Sequence, residues 1–250
     1  MPRLLIDSLE IRVPLGATLL DAIRGAGVDL PTLCYWEGLP PYGACRLCLV
    51  EIVQPRQEVV AACTYPAEEG VVVETRAPRV VATRRLMLEF LLARCPTSTV
   101  IRSLAGEAGV TESRFPSTGN RDELCVLCGL CVRVCRDAIG AAAIGFANRG
   151  AERKVGSPFN LHAEDCIGCG ACAAVCPTSA IFIEDVGSKR ILHSWNTTVE
   201  LQPCPRCGQP YAPDPMAFLR EVVEASAHLY GLCPVCRRKA TLEQLNVGQI

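Results

Sequence analysis

Seventeen cysteines in 250 residues, most of them in Cys-x-x-Cys spacings, constrain this chain more than any other feature. Thiols at that density either pair as disulfides or hold metal, and repeated Cys-x-x-Cys spacing in a chain without an export signal favours metal. The amino terminus reads Met-Pro-Arg-Leu-Leu-Ile-Asp, with an acid where a secretory leader would run apolar, so the expected setting is the reducing cytoplasm. The longest apolar candidate, Ala138 to Ala147, contains two glycines and is too short for a bilayer, so no membrane span is expected. A net charge of −1 gives no reason to expect nucleic acid or an anionic membrane as partner.

The first cysteine set is Cys34-x10-Cys45-x2-Cys48-x14-Cys63. A long loop with three thiolates and a fourth further along suits a 2Fe–2S cluster, which takes two thiolates per iron. Gly38, Gly43 and the Pro40-Pro41 pair fit a loop wrapped close to such a core. A four-cysteine zinc site is the alternative, but zinc knuckles come as two Cys-x-x-Cys pairs and only Cys45 and Cys48 pair here.

The strongest signal is a duplicated run. Cys125-x2-Cys128-x2-Cys131-x3-Cys135 is followed by Cys166-x2-Cys169-x2-Cys172-x3-Cys176-Pro177. In this spacing three cysteines of a run grip one 4Fe–4S cubane and the fourth ligates the other. Cys125, Cys128, Cys131 and Cys176 are therefore assigned to one cluster, and Cys166, Cys169, Cys172 and Cys135 to the second. Gly129, Gly168 and Gly170 fall between ligands, where side chains would crowd the inorganic sulfur. Arg136 stands where a proline is usual and is expected to add positive charge near a cluster. Structural zinc is a weak alternative for these eight cysteines.

Two further pairs, Cys204-Pro-Arg-Cys207-Gly208 and Cys233-Pro-Val-Cys236, are separated by 25 residues and suit one ion with four thiolates. Structural zinc is the first choice and a single rubredoxin-like iron the alternative. Cys207-Gly208-x-x-Tyr211 resembles a rubredoxin knuckle, whereas the second pair is followed by Arg237-Arg238-Lys239.

The fold class expected is α+β in four segments. Residues 1–77 read as a β-grasp 2Fe–2S domain. A hairpin over Arg3–Ile6 and Leu9–Val13 comes first, then a helix starting at Thr18 and stopping near Gly27. Strands over Cys48–Val53, Glu58–Ala62 and Val71–Thr75 follow. Residues 78–122 form a helical connector with Ser98 capping its second helix and a polar linker at 111–122. Residues 123–187 form a two-cluster ferredoxin domain with a surface hairpin inserted at Gly145–Phe159. Residues 188–250 form a metal-knuckle tail around one helix, capped by Asp214 with Pro215 in its first turn.

Residues 1–77, through Leu30-Pro-Thr-Leu-Cys-Tyr-Trp and Cys45-Arg-Leu-Cys48, resemble the N-terminal domain of the complex I large iron–sulfur subunit. They equally resemble the diaphorase small subunit of NAD-reducing nickel–iron hydrogenases and relatives in NAD-linked formate dehydrogenases. In that family, a helix like Arg79–Arg94 leads to one His and three Cys that hold an extra cubane. This chain has only Cys95 there, and no histidine before His162, so that cluster is expected to be absent and Cys95 to be a buried structural thiol.

No Gly-x-Gly-x-x-Gly follows a strand, no P-loop is present, and His162, His193 and His228 are scattered. Clusters without a substrate pocket imply an electron relay with no catalytic residue of its own. By resemblance, the partners are a flavin/NAD(P)-binding diaphorase subunit and a catalytic subunit, preferably a hydrogenase, otherwise a formate dehydrogenase. A redox-sensing or assembly protein is the reading of a different class.

Overall fold

In a computed structural model, residues 1–117, 120, 122–212 and 231–246 are described. The chain divides into two units, Met1–Cys128 and Gly129–Ile250. The first begins with β1 (Arg3–Ile6), whose alternation buries Leu4 and Ile6 and leaves Arg3 and Leu5 outside. Asp7 and Ser8, both at positive φ, turn it into the antiparallel β2 (Leu9–Arg12), with Leu4 opposite Ile11. The helix α1 (Leu19–Gly25) follows, and β3 (Leu49–Gln54), β4 (Glu58–Ala61) and β5 (Val72–Glu74) complete a five-stranded sheet. The strand order is β2-β1-β5-β3-β4, with β1 and β5 parallel. This is the strand, strand, helix, strand succession anticipated for a β-grasp domain.

The helix start is fixed by side chains. Asp21 N donates to Thr18 Oγ1 at 3.3 Å, and Thr18 N donates to the Asp21 carboxylate at 2.8 Å, which closes a capping box. Leu19, Leu20, Ala22 and Ile23 are buried and share one core with Leu4, Ile6, Val50, Ile52 and Val73.

The connector is two helices, α2 (Pro78–Arg94) and α3 (Thr99–Glu107), the latter capped by Ser98, whose hydroxyl accepts from Ile101 N at 3.4 Å. Arg84 anchors α2 by donating to the carbonyls of Leu49 and Thr75. A second core joins Leu88, Leu92, Cys95, Ile101 and Val110 to Leu33 and Leu47 of the loop before β3.

In the second unit, α4 (Leu130–Arg133) runs on into a π-helical turn at Val134–Ala138. A hairpin of β6 (Gly145–Ala147) and β7 (Lys154–Gly156) occupies the segment where one was anticipated. After α5 (Ala171–Ala174) come β8 (Ile183–Val186), β9 (Lys189–Leu192) and β10 (Thr197–Glu200), an antiparallel sheet in the order β10-β9-β8. This sheet continues across residue 187, turning at Gly187-Ser188, so β8 belongs with the strands that follow it. A short hairpin of β11 (Gln202–Pro203) and β12 (Pro210–Tyr211) and the helix α6 (Pro234–Asn246) form the tail. The Asp214-Pro215 helix start, His228 and Gly119 of the linker lie outside the described residues. Among the described residues, no helix is long and apolar enough to cross a membrane.

Thr18→Ala removes the cap and is expected to cost about 1 kcal/mol, and Leu20→Ala about 2–5 kcal/mol. Denaturant unfolding followed by far-UV circular dichroism measures both, and the cap variant must be the milder.

Candidate iron–sulfur and metal centres

The first set gathers on the loop before β3 and just after β4. Cys34, Cys48 and Cys63 are buried and Cys45 is half-buried. Cys34 Sγ and Cys45 Sγ lie 3.4 Å apart, and Cys45 N donates to Cys34 Sγ at 3.4 Å. Hydrogen bonds from Cys45 and then Cys63 hold the Cys34 thiol down at about 2, and Cys63 holds Cys48 down at about 7. The donors shift the other way: Cys45, facing Cys34, and Cys63, facing Cys34 and Cys48, are pushed up. Four sulfurs so close to one another ionise together only around a cationic centre, so the donor set fits a thiolate-bound iron core. The loop geometry serves the same end. Gly43 has φ 67°, and a Cβ there would meet Thr64 Cγ2 at 3.1 Å.

The two ferredoxin-type runs share one backbone. Leu127 and Gly129 in the first have φ 55° and 77°, and Gly168 and Gly170 in the second have φ 68° and 77°. Gly129 and Gly170 each stand immediately before a four-residue helix, α4 and α5. Such turns aim successive cysteines to one side and suit glycine. Leu127 adopts the turn without being one.

Cys125 is fixed at both peptide groups. Its N–H donates to Glu123 Oε1 at 2.7 Å, and its carbonyl accepts from Arg94 Nε at 2.7 Å. Cys176 Sγ accepts from Ala180 N at 3.3 Å. Cys135, Cys166, Cys169 and Cys172, the set assigned together from spacing, line one small cavity with Trp195 and apolar side chains. Burial pushes the thiols of Cys166 and Cys169 up and that of Cys172 to about 12. Arg190 donates to Gly168 O at 2.8 Å and is held by Asp185 through two contacts of 2.7 Å. The charge expected of Arg136 is offset beside it, because Asp137 pairs with its guanidinium at 2.6 Å.

In the tail, the sulfurs of Cys204, Cys207, Cys233 and Cys236 all lie within 4.8 Å of one another, with Cys207 and Cys233 at 3.6 Å. A tetrahedral ion with bonds of about 2.3 Å sets sulfurs roughly 3.8 Å apart, so the site fits one ion. The first pair is a knuckle, with Gly208 at φ 73° and its N–H on Cys204 O at 2.8 Å. The second differs because it opens a helix: Cys233 precedes α6 and Cys236 lies in its first turn. Cys233 N donates to Cys204 Sγ at 3.4 Å, and Arg206 ties the knuckle to α6 through Glu243 at 2.7 Å.

Cys95 is fully buried in the connector core, and burial pushes its thiol up to about 12. His193 pairs with Glu184 at the surface at 3.1 Å, and His162 is exposed. Leu127, Arg190 and Trp195 escaped the sequence reading. Aligning the two runs, with Leu127 opposite Gly168, would have exposed the first.

Gly168→Val places a branched side chain at φ 68° against Val199, which a Cβ already meets at 3.2 Å. It is expected to lower 4Fe–4S iron content by about half of one cluster or more, whereas Leu127→Gly is expected to leave it unchanged. Iron and sulfide assay of anaerobic protein measures both.

Residues 3–78 match the model of a 2Fe-2S iron-sulfur cluster binding domain, and residues 124–180 and 158–212 each match a 4Fe-4S dicluster domain. The chain is 33% identical to an NADH-quinone oxidoreductase subunit of Rhizobium meliloti over 83% of its own length and 27% of that relative. It is 32% identical to the HndD subunit of the NADP-reducing hydrogenase of Solidesulfovibrio fructosivorans over 70% of itself and 35% of that relative. It thus spans about a third or less of these curated relatives. A chain in the crystal structure of NAD+-reducing [NiFe]-hydrogenase in the H2-reduced state is similar at a TM-score of 0.62 and 27% identity, covering 72% of this chain and 86% of that one. The chain therefore carries 2Fe–2S and 4Fe–4S ferredoxin-type domains and is homologous to subunits of NADH-quinone oxidoreductase and of NAD(P)-reducing hydrogenases.

Proposed function

We propose that the chain is an electron-relay subunit of a cytoplasmic, multisubunit NAD(P)-linked oxidoreductase. In this reading Cys34, Cys45, Cys48 and Cys63 hold a 2Fe–2S cluster. Cys125, Cys128, Cys131 and Cys176 hold one 4Fe–4S cluster, and Cys135, Cys166, Cys169 and Cys172 the other. The observation that supports it is the proximity of Cys34, Cys45, Cys48 and Cys63 to one another, and of Cys135, Cys166, Cys169 and Cys172 around one cavity, inside the matched cluster-binding domains; the set of Cys125, Cys128, Cys131 and Cys176 rests on spacing. Such clusters, when bound, take up and release single electrons and make no substrate bond. The chain's own contribution is to present thiolates, to direct backbone N–H groups at sulfur, as Cys45 and Ala180 do, and to wall the cages with apolar side chains.

The preferred complex is a nickel–iron hydrogenase, with a flavin/NAD(P)-binding diaphorase subunit and a hydrogenase subunit as partners. Coverage of 86% of the hydrogenase chain supports this over the formate dehydrogenase and redox-sensor readings. The tail is assigned to one structural zinc rather than one iron. Its second pair opens a helix instead of a second glycine-closed knuckle, so it departs from the rubredoxin pattern while keeping the four-thiolate set that zinc takes.

Anaerobically prepared protein should contain about ten cluster irons from the ligand count and show reduced 2Fe–2S and 4Fe–4S signals by low-temperature EPR. Cys48→Ser should abolish the 2Fe–2S signal and spare the cubanes. A colourless protein holding only zinc overturns the relay. Chelation at neutral pH should remove one zinc and expose the tail to protease while the visible absorbance stays. Release of iron instead overturns the zinc assignment.

A further inference from the structure

Trp195 is 4% exposed, and its indole Nε1 is buried without a hydrogen-bond partner among the described residues. An indole N–H is a donor only. Left unsatisfied, a buried donor costs about 1–3 kcal/mol, so native structures give it an acceptor. The ring does not lie there by looseness. It sits in the short turn His193–Trp195 between β9 and β10, and its carbonyl accepts from Thr197 Oγ1 at 2.8 Å. Thr197 Oγ1 in turn accepts from Ala163 N at 2.9 Å, which ties the turn to the segment leading into Cys166.

The indole lines the cavity that holds Cys135, Cys166, Cys169 and Cys172, and it packs in one core with Cys172. The other side chains of that cavity wall are alanine, isoleucine and leucine, so sulfur is the side-chain acceptor the wall offers. We propose that Trp195 is a cluster-tuning residue, donating its indole N–H to sulfur of the 4Fe–4S core held by these four cysteines and holding that core at a higher reduction potential. The inference rests on the cluster reading above. A donor aimed at cluster sulfur withdraws negative charge and so favours the reduced, more negative state. A second observation agrees. Arg190 brings a guanidinium to Gly168 O in the same ligand loop. The chain has one other tryptophan, Trp36, which is partly exposed on the loop after Cys34.

Trp195→Phe keeps the ring and removes the donor. In the full chain, prepared anaerobically, redox titration followed by EPR should show one cubane becoming harder to reduce. The shift expected is about tenfold in its reduction equilibrium, or roughly 59 mV for one electron. The other cubane and the 2Fe–2S signal should not move. Pulsed EPR of wild-type protein with 15N-indole tryptophan should show 15N coupling to a reduced cubane, present in W36F and lost in W195F. Normal iron content with unmoved potentials, or no 15N coupling, overturns the tuning role and leaves the cluster reading intact. Wild-type protein without two cubanes overturns both. If W195F does not retain its clusters, the 15N coupling in wild-type and W36F protein decides.

Discussion

Thiolate sulfurs must converge on a centre from a chain that has only short stretches between them, and that convergence forces the backbone into the left-handed region. Gly43, Gly129, Gly168 and Gly170 all lie there, as do Arg46 and Leu127. Each reverses the direction of the chain within one residue, so that sulfurs two or three positions apart face inward together. The same turns free backbone N–H groups to meet sulfur, as Cys45 N meets Cys34. The remaining fold is arranged to hold these turns: β3 and β4 frame the first set, and short helices start directly behind Gly129 and Gly170.

Several small apolar cores, rather than one large one, back the cysteines, and Cys131 and Cys172 share theirs. The sheet and α1 form the largest, the connector forms a second around Leu88, Leu92 and Cys95, and a third gathers Ile144, Leu192 and Trp195 beside Cys131 and Cys172. Cores this size stabilise small modules only modestly, and metal–thiolate bonds supply what packing does not. The tail is the extreme case, where Cys204, Cys233 and Cys236 are themselves the buried residues of the cluster, with Tyr211 and Leu232 against them and Cys207 exposed.

Much of this was legible in the linear sequence because the informative signals are local. The capping box at Thr18 and Asp21, the Ser98 cap and the hairpin at Gly145–Phe159 each depend on residues a few positions apart. Cysteine spacing is local in the same way. What escaped depends on tertiary neighbours. Trp195 reaches the Cys166 cavity only because β9 and β10 fold back over it. Nothing in the string Leu-His-Ser-Trp announces that. The charge anticipated at Arg136 is offset by the next residue, which pairing preferences alone do not fix. The sheet across residue 187 was hidden because Gly187 reads equally well as a terminus or as a turn.

The two ferredoxin-type loops, alike in shape, differ in how comfortable that shape is when empty. At φ 55°, Leu127 stores strain of roughly 1–2 kcal/mol that Gly168, its counterpart at φ 68°, does not. The glycine loop keeps its shape at no conformational cost, while the leucine loop keeps the same shape against that strain, so the two look-alike turns lean unequally on the packing around them.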